Sequence, residues 1–443
     1  MSIASAITNL QGKIANAYTA IENKGGTLPA TQDAQNLSAA IADIPQGEVD
    51  KRKYGATIDD VYYNPSEGVL QLNGGVEYAN FTGISSVSPM PYSFKNCTNL
   101  KSVSFPELLV VPDDCFVETF ENCTNLSSIS FTGLGLNALS HGSHAFQNAF
   151  KGCTNLKSVS FPALSSFKYQ MFESAFEGCS LLSSASFEYL GATDARAVFR
   201  NAFKDSGVKS AVYPRFNYDG QNYSGLSVFD SAYENSRVEE VSFPALTQVN
   251  DSVFRRAFIY CTALSSISFP EVLTVGTGGF LSAFGGCTSL STVSFPKLSS
   301  VSSGNNIGSF TRAFSGCTSL TSITFPKLAL MNGPASFGAI VYGTGVTSLS
   351  FPELTAITNS GSSTSNGAFF NNTSLTRIDL PKLTVMTSNA STTGVTSRYT
   401  FSGCTNLVEI HFGAENQSII ESGTYYSTKW GAPNANCQIY FDL

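Results

Sequence analysis

The sequence predicts a repeat solenoid of about twelve coils, with a parallel β-sheet on one face and an α-helical segment ahead of the repeats. The main observation is one position, usually Phe followed by Pro, that returns every 26 to 32 residues. Apolar and polar residues alternate just before that position, which is typical of a half-buried strand. In addition, 42% of the 443 residues are hydrophobic and only 13% are charged, which is enough apolar material for a large core.

The recurring position marks each predicted coil. The first nine intervals between its occupants form the triplet 26, 30 and 26 three times, a higher-order period of 82 residues. This regularity indicates duplication of a three-coil block. The occupants are Phe105, Phe131, Phe161, Phe187, Tyr213, Phe243, Phe269, Phe295, Phe325, Phe351, Leu380 and Phe412.

One copy of the repeat, residues 149–164, reads AFKGCTNLKSVSFPAL. Leu156, Val159 and Phe161 are its apolar positions, and the alternation of Val159 and Phe161 predicts a strand with both side chains pointing inward. Pro162 cannot donate to a sheet ladder, so it ends the strand. A single copy cannot bury its apolar face, whereas stacked copies can, and the repeats therefore predict a continuous core.

The L-x-x-L-x-L spacing of Leu156, Val159 and Phe161 resembles that of leucine-rich repeats. The longer wording A-F-x-G-C-T-N-L-x-x-I-x-F-P resembles the BspA-like class of these repeats, which occurs in bacterial surface proteins and in bacteriophage proteins. The resemblance covers about residues 92–412, some three quarters of the chain. It implies a leucine-rich-repeat solenoid that presents a surface to a partner, and it is specific for the fold but not for the ligand.

Residues 1–46 predict an N-terminal helical segment for attachment or oligomerisation. Apolar residues recur there at alternating steps of four and three, a heptad-type stripe on a helix that ends at Lys24-Gly25-Gly26. A cap folded on the solenoid is the other interpretation, and attachment is favoured because a separate region precedes the first repeat. The stripe consists of Ile3, Ile7, Leu10, Ile14, Ala17 and Ile21.

Both ends of the chain also resemble phage proteins. The segment AITNLQGKIANAYTAIENKGGTLPATQDAQNLSAAIADIP resembles the leader of tail-fibre-like and other virion proteins from phages of Gram-positive gut bacteria, and so does the closing segment KWGAPNANCQIYFDL. The two matches cover about 60 residues and are less specific than the repeats. They imply a virion protein that contacts other virion proteins through its N-terminal helices.

Two further regions flank the repeats. Residues 47–91 predict a small β capping region, with strand-like runs at residues 68–72 and 76–81 around the turn Asn73-Gly74-Gly75. Residues 413–443 predict a C-terminal cap with a helix over 414–422 and a strand over 438–442. Trp430, the single tryptophan of the chain, is expected to cover the final coil.

The ten cysteines predict packing rather than chemistry. A place in the repeat that accepts Cys, Ser, Thr or Asn is typical of a small, weakly hydrogen-bonding site beneath a turn, not of paired disulfide partners. No C-x-x-C occurs, which removes the usual zinc spacing. In four repeats the place holds Ser206, Ser236, Thr344 or Asn372, and in the others it holds Cys97, Cys123, Cys153, Cys179, Cys261, Cys287, Cys317 or Cys404.

The three histidines do not form a recognisable site. His141 and His144 have no carboxylate or cysteine at ligand spacing, and His411 is predicted at an outward strand position in the last repeat. Triad, phosphate-loop and dinucleotide motifs are absent. The sequence therefore predicts no catalytic residues, no metal, no cofactor and no enzymatic activity.

Two surfaces are candidate ligand sites. The outward strand positions, such as Ser158 and Ser160, form a Ser/Thr ladder that is either a solvated face or a weak glycan-binding face. The segments between repeats carry more aromatic residues, which pair flat rings with hydrogen-bonding groups as sugar binding tends to do. The residues predicted to bind a ligand are Tyr218, Asp219, Asn222 and Tyr223, and a second aromatic cluster is Phe167, Tyr169, Met171 and Phe172.

The net charge and the hydropathy of the sequence exclude two classes of binding partner. A net charge of -7 without basic runs argues against nucleic acid, and no stretch of about 18 apolar residues predicts membrane insertion. The favoured hypothesis is a non-catalytic phage virion protein, receptor-binding or tail-fibre-like, that binds a host cell-surface protein or glycan, and the N-terminal stripe allows a homo-oligomer. The alternative is an adhesin of the BspA-like family at the bacterial cell surface. That alternative calls for a secretory signal and a wall anchor, and the sequence patterns predict neither.

Overall fold

The chain divides into two units, Met1–Gly55 and Ala56–Leu443, and every residue described here lies in the second. The computed structural model describes residues 62–64, 69–71, 77–81, 85, 87, 89–134, 142–161, 164–165, 167–187, 189–190, 196–217, 227–304, 307–358, 367–388 and 394–443. The boundaries expected at residues 46, 91 and 412 stay predictions. The predicted N-terminal helices lie outside the described residues, together with their stripe at Ile3, Ile7, Leu10, Ile14 and Ile21.

Short strands make up most of the regular structure. In chain order they are β1 (Tyr62–Asn64), β2 (Val69–Gln71), β3 (Tyr78–Asn80), β4 (Ser102–Ser104), β5 (Ser128–Ser130), β6 (Ser158–Ser160), β7 (Ser184–Ser186), β8 (Ser210–Val212), β9 (Glu240–Ser242), β10 (Gln248–Val249), β11 (Ser266–Ser268), β12 (Thr274–Val275), β13 (Thr292–Ser294), β14 (Ser300–Ser302), β15 (Ser322–Thr324), β16 (Leu330–Asn332), β17 (Ser348–Ser350), β18 (Ala356–Thr358), β19 (Arg377–Leu380), β20 (Val385–Met386), β21 (Glu409–Phe412) and β22 (Gln438–Phe441).

The main face of parallel strands confirms the predicted solenoid. All twelve predicted strands are present, and each ends at the recurring position or one residue before it. Neighbouring strands run parallel, as in β4 and β5, where Val103 lies opposite Ile129. Val103 and Ile129 are buried, while the serines on either side of them are more exposed. The alternation read from the sequence therefore separates core from surface as expected.

The region before the first repeat differs from the prediction in one respect. The runs at 68–72 and 76–81 do contain strands, β2 and β3. β1 and β2 form an antiparallel hairpin, with Tyr62 opposite Gln71. β3, however, pairs in parallel with β4, so it is the first strand of the main face and not part of a separate capping element. Its Phe81 stacks on Phe105 at 4.5 Å between ring centroids, which continues the core by one coil.

The ladder of the main face is interrupted between groups of strands. The hydrogen-bonded groups are β3-β4-β5, β6-β7, β8-β9-β11, β13-β15 and β17-β19-β21-β22. The coils still stack across the interruptions, since Phe131 and Phe161 lie 5.7 Å apart and Phe269 and Phe295 lie 6.0 Å apart between centroids. The interruption between β11 and β13 therefore coincides with a wide step in the stack.

A second parallel sheet covers another side of the later coils. It consists of β10, β12, β14, β16, β18 and β20 in that order, and each of these strands begins five residues after the recurring position. Val249, Val275, Val301, Met331 and Ile357 point from it into the core and are fully or almost fully buried. In these coils the core is therefore closed on a second side by a sheet and not by irregular loops.

The third side of each coil is a run of turns whose hydrogen bonds alternate between coils. The N–H groups of Phe116 and Phe120 donate to the carbonyls of Ala145 and Ala149 in the next coil, both at 2.8 Å. Between them, the N–H of Thr119 donates to the carbonyl of Phe116 in its own coil at 3.1 Å. Alternate donors therefore join coils and tighten turns, so the buried backbone is satisfied without a helix.

This run of turns requires a positive φ at every fourth residue. Asp114, Glu118 and Asn122 have φ of 55°, 52° and 59°, and the place of Asn122 is taken by Gly152 and Gly178 in the next two coils. A left-handed conformation is costly for most side chains but tolerated by Asn, Asp and Gly. The N-C-T-N and G-C-T-N wording of the repeats follows from this requirement.

Three columns of aromatic rings fill the core. The first is the recurring position itself, and the second is the Phe of the Ala-Phe pair, as in Phe120 and Phe150 at 5.4 Å. The third lies four residues before the second and has centroid spacings of 5.1–5.5 Å. Stacked and edge-on rings of this kind add to the burial of apolar area. The third column comprises Phe116, Phe146, Phe172, Phe199, Phe229, Phe254, Phe280, Phe310 and Phe337.

Two tyrosines replace phenylalanine in adjacent columns and satisfy each other. Tyr213 and Tyr233 are buried, and their hydroxyl oxygens lie 2.6 Å apart. Burial raises the pKa of both phenols, so both stay protonated. Each hydroxyl is the hydrogen-bond partner of the other, which offsets the cost of burying both polar groups in the core.

We expect Tyr213→Phe and Tyr233→Phe each to lower the free energy of unfolding by about 1–3 kcal/mol, because each leaves one buried hydroxyl unpaired. The double variant should recover most of that loss, since a Phe pair such as Phe131 and Phe150 occupies the equivalent places in other coils. A double-mutant cycle by urea unfolding measures the coupling. Simple addition of the two single losses would contradict the pairing.

The C-terminal segment closes the turn side of the last coil. It contains a 3₁₀ turn (Ala414–Asn416), helix α1 (Gln417–Glu421) and a second 3₁₀ turn (Tyr426–Gly431), followed by β22. The predicted helix, strand and covering role of Trp430 are confirmed, because Trp430 is fully buried with its ring 5.6 Å from that of Phe412. Within the described residues, no helix has the length and hydrophobicity needed to cross a membrane.

Candidate binding surface

The main face presents columns of hydroxyl groups. In β6 and β7 the register places Ser158 opposite Ser184 and Ser160 opposite Ser186, and the two side chains flanking each strand centre point outward. The same pattern recurs in β4 with β5 and in β13 with β15. Strands in a sheet lie about 4.8 Å apart, so each column offers a donor and an acceptor at that interval along the coil stack. The predicted Ser/Thr ladder is therefore present as a regular polar surface.

A neighbouring row of hydroxyls already donates hydrogen bonds to backbone carbonyls. The Oγ atoms of Ser127 and Ser183 donate to the carbonyls of Lys101 and Lys157 in the preceding coils, both at 3.1 Å. These groups tie consecutive coils together just before each strand, and they are less available to a ligand than the two columns within the strands. Other members of this row are Ser265, Thr321 and Thr376.

The face opens into a slot where the ladder between β11 and β13 is interrupted. The slot has a volume of about 390 Å³. Ile267, the central residue of β11, is only partly buried there, whereas Val293 of β13 is buried. The rim carries hydroxyls, and Thr324 Oγ1 donates to Ser294 Oγ at 2.8 Å. The slot thus combines a small apolar floor with a polar rim, and its lining comprises Ile267, Ser268, Phe269, Pro270, Thr292, Val293, Ser294, Pro296, Ser322 and Thr324.

Charged and aromatic side chains gather at the C-terminal end of the main face. Arg377 pairs with Asp379 at 2.8 Å and with Glu409 at 3.5 Å across β19 and β21. His411 Nδ1 lies 2.7 Å from Asp442, and its Nε2 lies 3.3 Å from Glu409.

The N-terminal end of the face also has charged and aromatic side chains, since Lys101 pairs with Glu77 at 2.9 Å and lies over the ring of Tyr78. Charged and aromatic groups therefore lie at both ends, and hydroxyl groups predominate between them.

His411 occupies the predicted outward strand position but is not accessible. Its side chain is almost completely covered because Tyr440 of β22 stacks on it at 4.6 Å between ring centroids. The prediction treated the coil of His411 as the last one, and β22 adds a further strand beside it. His144, in contrast, lies in the turn run between Asp114 and Gln170 as a partly exposed residue.

The residues predicted to bind a ligand are not brought into any described site. Tyr218, Asp219, Asn222 and Tyr223 lie outside the described residues, and they remain a prediction. The second aromatic cluster is mostly core, since Phe167, Met171 and Phe172 are buried and Tyr169 alone is exposed. The sequence signal for this was the four-residue spacing between Phe172 and Phe176, which every typical coil repeats.

The cysteine column is a hydrogen-bonding position, as predicted. The Sγ atoms of Cys153 and Cys179 donate to the carbonyls of Phe120 and Phe150 in the preceding coils, both at 3.1 Å. Asn372 occupies the same place and donates its Nδ2 to the carbonyl of Phe337 at 2.9 Å. All ten cysteines are free. The column therefore selects small donors and links one coil to the next.

Burial keeps these thiols protonated. It raises the pKa of Cys179 and Cys404 to about 12 and that of Cys261 to about 11. A protonated, buried thiol is a poor nucleophile and a poor metal ligand. Within the part of the chain that the structure describes, no group of three His, Cys, Asp or Glu side chains is arranged to hold a metal ion.

The coil, its inward leucine positions and its parallel main face define a solenoid of the leucine-rich-repeat class. The family described as "BspA type Leucine rich repeat region" matches residues 88–224, 226–391 and 349–431, in six copies. The chain belongs to this family. The resemblance inferred from the repeat wording is thereby confirmed.

Several solved structures are similar to the chain at low identity. A leucine rich cell surface protein from Faecalibacterium prausnitzii is 17% identical, with 86% of each chain covered and a TM-score of 0.34. A leucine-rich repeat protein from Eubacterium ventriosum is 13% identical, with 86% of this chain and 84% of that one covered and a TM-score of 0.34. The T. pallidum leucine rich repeat protein is 15% identical over 66% of this chain and 90% of that one, with a TM-score of 0.18. A comparison with curated protein sequences gave no match.

Proposed function

We propose that the protein is a non-catalytic adhesin-type scaffold whose main face binds a glycan or protein on a cell surface. The observation that carries the proposal is the regular hydroxyl surface with its slot between β11 and β13. Hydroxyl columns favour a glycan, because each group can both donate and accept a hydrogen bond to a sugar hydroxyl. The absence of catalysis is part of the proposal, and the buried thiols support it only in so far as protonated cysteines are poor nucleophiles.

Membership of the BspA type family supports the bacterial cell surface as the setting. The other setting is a phage particle, in which residues 1–46 attach a receptor-binding or tail-fibre-like subunit to other virion proteins. That hypothesis rests on the resemblance of the two chain ends to phage proteins. Antibodies against the protein distinguish the two settings, since they label intact bacteria in the first and purified phage particles in the second.

Substitutions on the rim of the slot test the proposed binding role. We expect the purified protein to bind intact bacterial cells or immobilised wall glycans, and Ser294→Arg combined with Thr324→Arg to weaken binding about tenfold, because two long cations fill the rim. The measurement is biolayer interferometry on immobilised glycans and proteins in parallel.

Ser302→Arg combined with Leu330→Arg is the matched control, since both residues are exposed on the second sheet and the added charge is the same. It should leave binding unchanged. Equal loss in both variants would point to general charge repulsion, and no binding by the unsubstituted protein to either ligand class would remove the proposed role.

A further inference from the structure

The C-terminal end of the main face is an open strand edge. Among the strands that the structure describes, β22 pairs with β21 alone, and the N–H of Gln438 donates to the carbonyl of Val408 at 2.8 Å. In a parallel pair, alternate residues direct their backbone groups to opposite sides. Since Gln438 and Tyr440 face β21, the N–H and C=O groups of Ile439 and Phe441 point away from it.

The core side of β22 is open as well. Ile410 and Phe412 in β21 are fully buried, whereas Ile439 and Phe441 beside them in β22 are only partly buried. Phe441 still stacks on Phe412 at 6.0 Å between centroids, so it continues the first aromatic column by one step. An additional strand would therefore meet both free backbone groups and an incompletely covered apolar surface.

The opening is confined to the sheet side of the last coil. On the turn side, Trp430 covers the aromatic column and its carbonyl accepts the N–H of Phe401 at 3.1 Å. Within the described ranges no comparable side chain lies over β22, where Leu443 and Tyr440 have exposed fractions of 43% and 39%. The turn side of this end is therefore capped, whereas the sheet side presents the edge of β22.

The charge around the edge is negative. The outward side chains at this end include the carboxylates of Asp379, Glu409 and Asp442, which outnumber the guanidinium of Arg377 that pairs with the first two. Glu409 and Asp442 flank His411 on the outward side of β21 and β22, with Asp442 more than half exposed. Two copies of this chain would bring the same carboxylates together, and like charges on an edge oppose self-pairing. A cationic strand would gain from the same field.

We propose that the β22 edge docks an extended segment of a partner protein in which apolar residues alternate with Lys or Arg. The apolar residues would continue the core over Ile439 and Phe441, and the cations would face Tyr440 and Asp442. The partner's backbone would form hydrogen bonds with the outward N–H and C=O groups of Ile439 and Phe441, a binding mode called strand addition. This site is separate from the hydroxyl face and the slot, so it stands or falls independently of glycan binding.

The test uses the full chain and a fluorescein-labelled peptide, acetyl-KVKVKVK-amide, in a fluorescence anisotropy titration. We expect saturable binding that weakens with salt, and weaker binding of the matched peptide EVEVEVE. Ile439→Pro should weaken binding about tenfold or more, because it removes an outward N–H that the β21 ladder does not use. Ile439→Ala, which removes the side chain but keeps the N–H, should stay within about threefold of the unsubstituted chain.

Asp442→Lys gives an independent arm, because it alters an exposed charge and leaves the backbone edge intact. It should also weaken binding of the lysine peptide and should strengthen binding of the glutamate peptide. The proposal is overturned if neither peptide binds, if both bind equally, or if the proline and alanine variants bind alike. A dimer of the unsubstituted chain that Ile439→Pro converts to a monomer in size-exclusion chromatography would assign the edge to a second copy instead.

Discussion

Between about pH 9.5 and 10.5, the free energy of unfolding should fall by roughly 10 kcal/mol because the folded chain keeps buried thiols protonated that the unfolded chain ionises. Burial raises the pKa of nine thiols in the folded protein, to about 12 for Cys115, and the expected fall comes mainly from seven fully buried ones. The unfolded thiol has a pKa of about 8.5. The other six are Cys123, Cys153, Cys179, Cys261, Cys287 and Cys404.

The sign follows from which state binds more protons. Below about pH 8 the thiols are protonated in both states, so they give no pH dependence. Above that, the unfolded chain releases protons first, and each thiol lowers the free energy of unfolding by about 1.4 kcal/mol per pH unit until its folded pKa is reached. Seven thiols together remove an amount comparable to the whole stability of an ordinary domain, about 5–15 kcal/mol. Tyr213 and Tyr233 act in the same direction at higher pH.

Urea unfolding at about pH 7, 9.5, 10 and 10.5 measures this fall, and the triple variant Cys123→Ser, Cys153→Ser and Cys179→Ser is the control. Serine already occupies the column at Ser206 and Ser236, so the variant should fold with a modest loss at pH 7. Its stability should then decline with pH at roughly four sevenths of the original slope. An unchanged slope would show that the thiols are not the groups being titrated.

The repeat pattern was sufficient to predict the main face and the cysteine column. Period-two alternation and the Phe-Pro position locate a strand because a coil of this kind has one way to bury its apolar residues. The mixture of Cys with Ser206, Thr344 and Asn372 indicates a hydrogen-bonding place because these side chains share size and donor capacity. In both cases one physical requirement acts on every coil, so repetition reveals it.

Features that depend on the interplay of neighbouring coils escaped the sequence. The intervals from Phe243 to Phe269 and from Phe269 to Phe295 are both 26 residues, yet the ladder is continuous across the first and interrupted across the second. Spacing alone therefore cannot locate the slot between β11 and β13. β22 was expected as a strand of a cap, but its parallel pairing with β21 is a tertiary fact. The open edge follows from that pairing.

The third aromatic column was overlooked for a different reason. Its members lie four residues before the Phe of the Ala-Phe pair, outside the strand alternation, and Phe172 was predicted as part of an aromatic cluster between the repeats. The run of turns brings residues four apart to the same side because each step of four restores the same φ pattern. A search for the spacing Phe172 to Phe176 in every repeat would have found the column.

Phe172→Ala should lower the free energy of unfolding by about 3–5 kcal/mol, because it empties a place between rings on four sides. Phe172 stacks on Phe146 and Phe199 at 5.1 and 5.5 Å and meets Phe161 and Phe187 edge-on at 5.0 and 5.2 Å. Tyr169→Ala, three residues away on an exposed ring, should cost less than about 1 kcal/mol. Urea unfolding followed by circular dichroism measures both.

Phe172→Leu separates the two sources of the loss. Leucine keeps most of the buried volume but removes the ring contacts, so a cost below about 1.5 kcal/mol would assign the effect of Phe172→Ala to the cavity. A leucine variant as unstable as the alanine variant would assign it to ring stacking along the column. Because each coil contacts only its neighbours, a loss of this size also weakens the coupling of the coils before and after Phe172. We therefore expect Phe172→Ala to divide unfolding into two transitions, whereas Phe172→Leu keeps one.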